Sequence, residues 1–275
     1  MNEKQPLISI IMGIFNCEDT LADAIDSLIA QTYSNWELVM CDDGSSDNSY
    51  DVALKYTKLY PTKMSLIRHV KNQGLNITLN DCLRMTHGAY IARMDADDIS
   101  LPTRFEKEMG TFFAEPELAV VSCPMIYFDA KGEWGRGKEL ENYPIPAQLV
   151  KGTVHCHGAA IIRADAMYDV GCYSDDKSLL RVEDWHLWIK MYAKGYRGKN
   201  ISECLYMMRD DQRALKRKNF RTCLRESKLS RYAVKTFGLS PVNYIFSLRP
   251  ILLGLLPPPI YSFLHKIKKK GWSRK

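Results

Sequence analysis

The sequence has no Cys-x-x-Cys pair: its eight cysteines, at 17, 41, 82, 123, 156, 172, 204 and 223, occur singly along the chain. That spacing fits neither a zinc ribbon nor a disulfide framework, and free thiols in a reducing compartment are the expectation. The opening Met-Asn-Glu-Lys-Gln-Pro lacks the basic segment and apolar run of a secretory signal. No stretch reaches the roughly 18 apolar residues a spanning helix needs. The nearest, Ile251 to Leu264, is broken by Gly254 and by Pro257-Pro258-Pro259. No internal repeat is visible, and nothing before the C-terminal part is of low complexity. These absences point to a cytoplasmic protein.

What is present is an ordinary globular composition with an uneven charge. Hydrophobic residues make up 46% and charged residues 25% of 275 positions, which excludes a disordered or fibrous chain. A chain of this length buries enough surface to hold a core without disulfides or metal. Residues 1–208 hold 21 Lys and Arg against 29 Asp and Glu, a net of −8. Residues 209–275 hold 17 against 3, a net of +14. An acidic body is followed by a basic tail.

Leu7 to Gly13 is a nearly continuous apolar run, as in a strand buried on both faces of a parallel sheet. Leu21, Ile25, Leu28 and Ile29 then mark one face of a helix. Further strands are expected at Trp36–Cys41, Met64–Val70, Ala89–Met94 and Leu118–Cys123. Helices are expected at 49–60, 77–85, 103–113 and 183–194. Alternation of this kind argues an open, mostly parallel α/β sheet flanked by helices, which binds ligands beyond the carboxyl ends of its strands. Those ends carry Gly13 to Asn16, Asp42-Asp43 and Asp95-Ala96-Asp97-Asp98.

Asp95 and Asp97, two apart in an extended segment, would face one side. Oxygen-only ligands suit Mg²⁺ or Mn²⁺, which neutralise a diphosphate as charge develops on it. An Asp-rich helix cap before Pro102 is the plain alternative. Asp42-Asp43-Gly44-Ser45 reads equally as turn chemistry.

Taken in order, Ile8 to Asn16, Gln31-Thr32-Tyr33, Trp36-Glu37-Leu38, Asp42-Asp43-Gly44-Ser45, Asn72-Gln73-Gly74-Leu75 and Asp95-Ala96-Asp97-Asp98 resemble the family 2 glycosyltransferases. These are nucleotide-sugar-dependent enzymes of the GT-A (Rossmann-like) fold, and the resemblance spans about residues 6–210. It implies that Asp43 accepts a hydrogen bond from the donor base, usually uracil. The Gly13-Ile14 backbone would lie against that base, with Glu18 close behind. Asp95 would stand near the ribose and metal, and Asp97 would be the metal ligand proper. In Glu183-Asp184-Trp185, Asp184 would be the base that deprotonates the acceptor hydroxyl for in-line, inverting attack. Glu183 is the other candidate, and dipole complementation at a helix start is the alternative for both. His157 would lie on the acceptor side of the cleft, with a packed core histidine as the alternative. His155-Cys156-His157 crowds its potential ligands too closely for zinc.

The Gln-x-x-Arg-Trp signature of processive members is missing at Gln212-Arg213-Ala214-Leu215-Lys216, so one sugar per encounter is expected. Residues 1–210 then form the transferase domain and 211–275 a basic helical extension. Its apolar stretch from Ile251, aromatic Ile260 to Leu264 and Lys266 to Trp272 suit peripheral contact with an anionic membrane surface. A lipid-linked saccharide acceptor would follow; nucleic acid would not explain the apolar run, whereas packing of this segment on the body would explain it equally well. Two competitors remain. A nucleotidyltransferase would want a Gly-rich basic loop after the first strand, where Asn16-Cys17-Glu18-Asp19 is acidic. A silent nucleotide-sugar-binding scaffold would not need Asp97 or Asp184.

Overall fold

The structure, a computed structural model, describes residues 5–210 and 220–257. The departed signature at Gln212–Lys216, the first part of the expected tail helix, and the stretches Ile260–Leu264 and Lys266–Trp272 lie outside the described residues.

Four parallel strands make the centre of the main sheet: β1 (Ile8–Ile14), β2 (Trp36–Asp42), β3 (Met64–Arg68) and β4 (Tyr90–Arg93). Their spatial order is β3-β2-β1-β4. The chain therefore reverses its direction of growth across β1, and the carboxyl ends of β2, β1 and β4 lie side by side. Register fixes this: Ile14 stands opposite Asp42, and Ile11 opposite Arg93. Beyond β4 the sheet continues through β9 (Ile161–Arg163), β6 (Leu118–Ser122) and β10 (Arg197–Asn200). Only β9 runs against the rest, pairing antiparallel with both β4 and β6. A second, four-stranded sheet holds β5 (Ile99–Ser100), β11 (Tyr206–Arg209), β7 (Met125–Asp129) and β8 (Gly132–Arg136), in that order.

The apolar run of β1 is buried on both faces, and alternate residues enter different cores. Ile8, Ile10, Met12 and Ile14 pack with Leu21, Ile25 and Leu28 of α1 (Leu21–Ile29) and with Phe105, Met109 and Phe112 of α4 (Arg104–Ala114). Ile11 faces the opposite layer, with Leu79 and Leu83 of α3 (Leu75–Leu83) and Trp185 and Trp188 of α6 (Glu183–Ala193). Each such buried side chain contributes about 1.5–3 kcal/mol. Helices α2 (Ser49–Leu59) and α5 (Ala164–Asp169) complete the flanks.

Within the basic C-terminal part, α7 (Phe220–Thr236) is a long helix whose Leu229, Ala233 and Val234 join the same core as Trp185. Ser230 Oγ donates to the Val150 carbonyl at 2.8 Å, seating α7 on a 3₁₀ turn at Pro146–Val150. A second 3₁₀ turn, Pro241–Ser247, leads into the short α8 (Leu248–Gly254). Val242, Ile245, Leu248, Leu252 and Leu255 remain exposed there. Among the described residues no helix is long and apolar enough to cross a membrane.

Candidate active site

The ends of β1 and β2 are joined beyond their ladder by the Asp43 amide, which donates to the Ile14 carbonyl at 2.9 Å. Ile14 is fully buried, so of the pair only Gly13, partly exposed, reaches the ligand edge. Asp43 is 3% exposed, and its carboxylate is almost fully served. Oδ1 accepts from the Gln73 amide and faces His69 Nδ1, both at 2.8 Å, while Oδ2 accepts from the Gly74 amide at 2.9 Å. One lone pair of Oδ2 is left over. Gly44 makes the turn possible: its φ is +73°, and a Cβ there would lie 2.8 Å from the Lys71 backbone. Glu18 is turned to another task. Its Oε2 accepts from the Asn48 amide at 3.0 Å and side chain at 2.6 Å, at the start of α2.

Cys41, His69 and Asp81 also lie close together, with His69 Nε2 2.7 Å from Asp81 Oδ2 and 3.4 Å from Cys41 Sγ. Both ring nitrogens of His69 face carboxylates, which can only accept when ionised. The imidazole thereby bridges Asp43 and Asp81.

Beyond β4, the segment 95–98 is a turn and not the extended stretch that alternation suggests. The Asp98 amide folds back to the Asp95 carbonyl at 3.3 Å. Strand β11 grips this turn: the Arg209 amide donates to Asp98 Oδ1 at 2.8 Å, and its Nε donates to the Asp97 carbonyl at 3.0 Å. Thr20 Oγ1 donates to the Ala96 carbonyl at 3.0 Å from the other side. Burial, then the charges of Asp95 and Asp97, holds the Asp98 carboxyl well above the usual range. Asp98 is thus a structural member of the acidic set. Asp95 and Asp97 keep partly exposed side chains.

Arg93, at the end of β4, is buried beneath this turn. Its Nε and Nη2 both donate to Asp95 Oδ1, at 3.0 and 2.7 Å. Asp95 Oδ2 makes no hydrogen bond among the described residues. Nη1 of Arg93 donates to Nδ1 of His157. Since arginine only donates, His157 must carry its proton on Nε2, which meets the Tyr173 hydroxyl at 2.7 Å. Burial, helped by Arg93, pushes the His157 imidazole well below its ordinary value, so it is neutral. Trp188 braces both His155 and His157 edge-on, at 5.3 and 5.5 Å between ring centres. His155 uses its own two nitrogens on Asn200 and Tyr192.

A cavity of about 950 Å³ gathers Asp95, His157, Glu183 and Asp184 on its wall, together with Arg93. Asp97 stands on the same turn as Asp95, outside that lining. Asp184 opens α6 and is only partly exposed. Burial, followed by the negative charge of Glu183, raises its carboxyl to about 6. Glu183 Oε2 is buried without a partner among the described residues. A carboxylate of raised basicity, lining one cavity with Asp95, is placed to take a proton near neutral pH. Sequence reasoning missed Arg93, whose signal was a lone cation inside the apolar Ile91–Met94 stretch, and Asp98's separate role.

This sheet order, with acids at the switch point, is that of an open, mostly parallel α/β fold that binds its ligand beyond the strand ends. A family model described as Glycosyl transferase family 2 matches residues 9–171, and the chain belongs to that family. It is 37% identical over 261 residues to the Putative glycosyltransferase EpsE of Bacillus subtilis, covering 95% of this chain and 94% of that one. It is 26% identical over 246 residues to the UDP-Glc:alpha-D-GlcNAc-diphosphoundecaprenol beta-1,3-glucosyltransferase WfaP of Escherichia coli, covering 88% and 91%. The mannosyltransferase PcManGT from Pyrobaculum calidifontis, solved in complex with GDP-Man and Mn²⁺, superposes with a TM-score of 0.68 at 17% identity, covering 94% and 72%. That likeness shows the fold, which is GT-A. The protein is a glycosyltransferase.

Proposed function

We propose that this transferase moves one sugar from a nucleotide-sugar, UDP-linked by preference, to a lipid-linked saccharide during cell-surface polysaccharide assembly, with inversion at the anomeric carbon. The observation that carries the reading is Asp184: a partly buried acid raised to about 6, lining one cavity with Asp95. Asp184 accepts the proton of the attacking hydroxyl, and Glu183 beside it keeps that carboxylate basic. Asp95 is oriented through Oδ1 by Arg93, which leaves Oδ2 for a cation. Asp97, partly exposed on the same turn, completes an oxygen-only pair of the kind Mn²⁺ or Mg²⁺ prefers. When bound, such a cation offsets the charge that develops on the leaving diphosphate. The Gly13-Ile14 backbone borders the base, and the remaining lone pair of Asp43 Oδ2 suits an imide N–H. Neutral His157, fixed between Arg93 and Tyr173, forms the acceptor-side wall.

Support comes also from relatives: one transfers from UDP-Glc to a lipid diphosphate-linked sugar, and one was solved with Mn²⁺. The basic C-terminal part, with its exposed apolar residues, suits a peripheral position at an anionic inner membrane face. Deleting residues 249–275 should then move the protein from membrane to soluble fraction. The test of the reaction is a panel of nucleotide sugars with Mn²⁺ and a lipid diphosphate-linked sugar, scored by nucleoside diphosphate release and by the anomeric configuration of the product. Binding without release from any donor would leave a silent scaffold. Release of inorganic diphosphate from a triphosphate would favour a nucleotidyltransferase.

A further inference from the structure

Next to the main cavity lies a smaller hollow of about 270 Å³, between the start of α6 and the C-terminal helices. The two share part of their wall: Lys151, Gly152, Thr153, Arg181, Asp184 and Arg249 line both. Three of those six residues are cations, and they come from three separate elements. Lys151 ends the 146–150 turn, Arg181 directly precedes α6, and Arg249 belongs to α8. Among the described residues none of the three makes an ion pair; Lys151 Nζ lies only over the Phe246 ring, at 4.7 Å. Unpaired cations sharing a concave wall repel one another, which an anionic ligand would relieve. Glu226, which lines the smaller hollow alone, does not face the main cavity lining.

Arg181 carries a further mark. Its φ is +72°, a conformation that costs a non-glycine residue free energy and that clusters at ligand sites. On its C-terminal side the smaller hollow is lined by apolar Phe246, Pro250 and Leu253, with Glu226 of α7 beside Arg249. Leu248, Leu252 and Leu255 are exposed on the opposite face of α8. Asp184, the three cations and the apolar Phe246, Pro250 and Leu253 thus line one hollow.

We infer that Lys151, Arg181 and Arg249 form a binding site for the diphosphate of a prenyl diphosphate-linked acceptor, with its sugar hydroxyl at Asp184 and its hydrocarbon tail against α8. The inference rests on the proposed acceptor side, and it adds the recognition of the phosphates themselves. A neutral sugar would need no cation on this wall. The donor diphosphate belongs with Asp95 and Asp97 on the other side of the main cavity, and Asp95 does not line the smaller hollow. Guanidinium groups suit the role because their forked N–H donors match phosphate oxygens in pairs.

The test uses the full chain without divalent metal, so that the donor site does not compete, and titrates geranyl diphosphate against geraniol. Geranyl diphosphate should bind, geraniol should bind at least tenfold more weakly, and inorganic diphosphate should compete. The exposed double variant Arg181→Gln, Arg249→Gln should lose roughly tenfold or more in geranyl diphosphate affinity, from two charged hydrogen-bond partners. Its binding of UDP with Mn²⁺ and its melting temperature should stay at wild-type values. Equal binding of the alcohol and the diphosphate overturns the site, and so does undiminished binding by the variant. If the variant loses only its adsorption to phosphatidylglycerol vesicles, the cations serve a membrane headgroup surface and the acceptor site is refuted. Because no turnover is read, a failed transfer reaction is seen separately, as an absence of nucleoside diphosphate release by the wild-type protein.

Discussion

Arg93 and Asp95 are locked to each other by two hydrogen bonds to a single oxygen: Nε and Nη2 of the arginine, at 3.0 and 2.7 Å, both reach Oδ1. The same guanidinium holds His157 and lies near Glu183, so one buried cation spans from the acidic turn to the start of α6. Burial opposes its charge, and Asp95, Tyr173 and Glu183 outweigh that opposition. Replacing Arg93 by Lys keeps the charge and removes the fork. Activity of Arg93→Lys should fall by 10- to 100-fold, about 1.4–2.7 kcal/mol of transition-state stabilisation, with a smaller change in nucleotide affinity. Steady-state kinetics beside UDP titration would check this.

As the proposed proton acceptor, Asp184 should set the pH profile of turnover. A proton acceptor works only when ionised, and this carboxyl titrates at about 6. Turnover should therefore rise with pH through about 6 and level off above it, in a profile that Asp184→Asn abolishes along with activity. The sign for stability is opposite. A folded-state value raised above the unfolded one means that folding favours the protonated form. The native state then loses stability as pH rises from about 4 to about 6, and the loss is complete above that window. Asp184→Asn should consequently be more stable than wild type at pH 7.5, by about 1–3 kcal/mol, in urea unfolding.

The two outer acids of the turn should separate in their effects. Asp97→Asn should abolish Mn²⁺-dependent donor turnover while leaving the melting temperature nearly unchanged, because the side chain is partly exposed. Asp98→Ala should instead loosen β11, costing about 1–3 kcal/mol by leaving the Arg209 amide without its acceptor. Thermal melts and nucleoside diphosphate release, measured together, distinguish them. Wild-type activity in Asp97→Asn would remove that residue from the metal pair.

Gly44→Ala should weaken both folding and nucleotide binding. Its φ of +73° and the close Lys71 backbone leave a methyl no room without moving the 71–74 loop, whose amides at 73 and 74 hold Asp43. A destabilisation of about 2–4 kcal/mol is expected, read by denaturant unfolding, with UDP affinity falling in parallel.

The strands at the ligand edge were legible, β1 and β2 most of all because they are buried on both faces and so spell nearly continuous apolar runs. Their boundaries agree with the sequence reading to within two residues at β1, β2, β3 and β4. The three-residue β9 left no such trace, and Arg-Gly-Lys-Asn of β10 contains no apolar residue at all; pairing with β6 makes it a strand. The acidic turn was read as extended because period-two spacing is visible in a sequence, while the back-bond from Asp98 to Asp95 is not. Asp95, His157, Glu183 and Asp184 do come to one cavity. The cations at 151, 181 and 249 were invisible as a group, since nothing in their separations relates them. Nor did the charge of residues 209–275 reveal that α7 shares a core with Trp185.

The 146–150 turn is held from two directions. Trp185 Nε1 donates to the Leu149 carbonyl at 2.7 Å, and Ser230 Oγ donates to the neighbouring Val150 carbonyl. One grip belongs to the helix that carries the proton acceptor and the other to the long C-terminal helix. Tilting the latter therefore strains the former through a lever only two peptide units wide. The start of α6, with Asp184, is in this way mechanically geared to the long C-terminal helix.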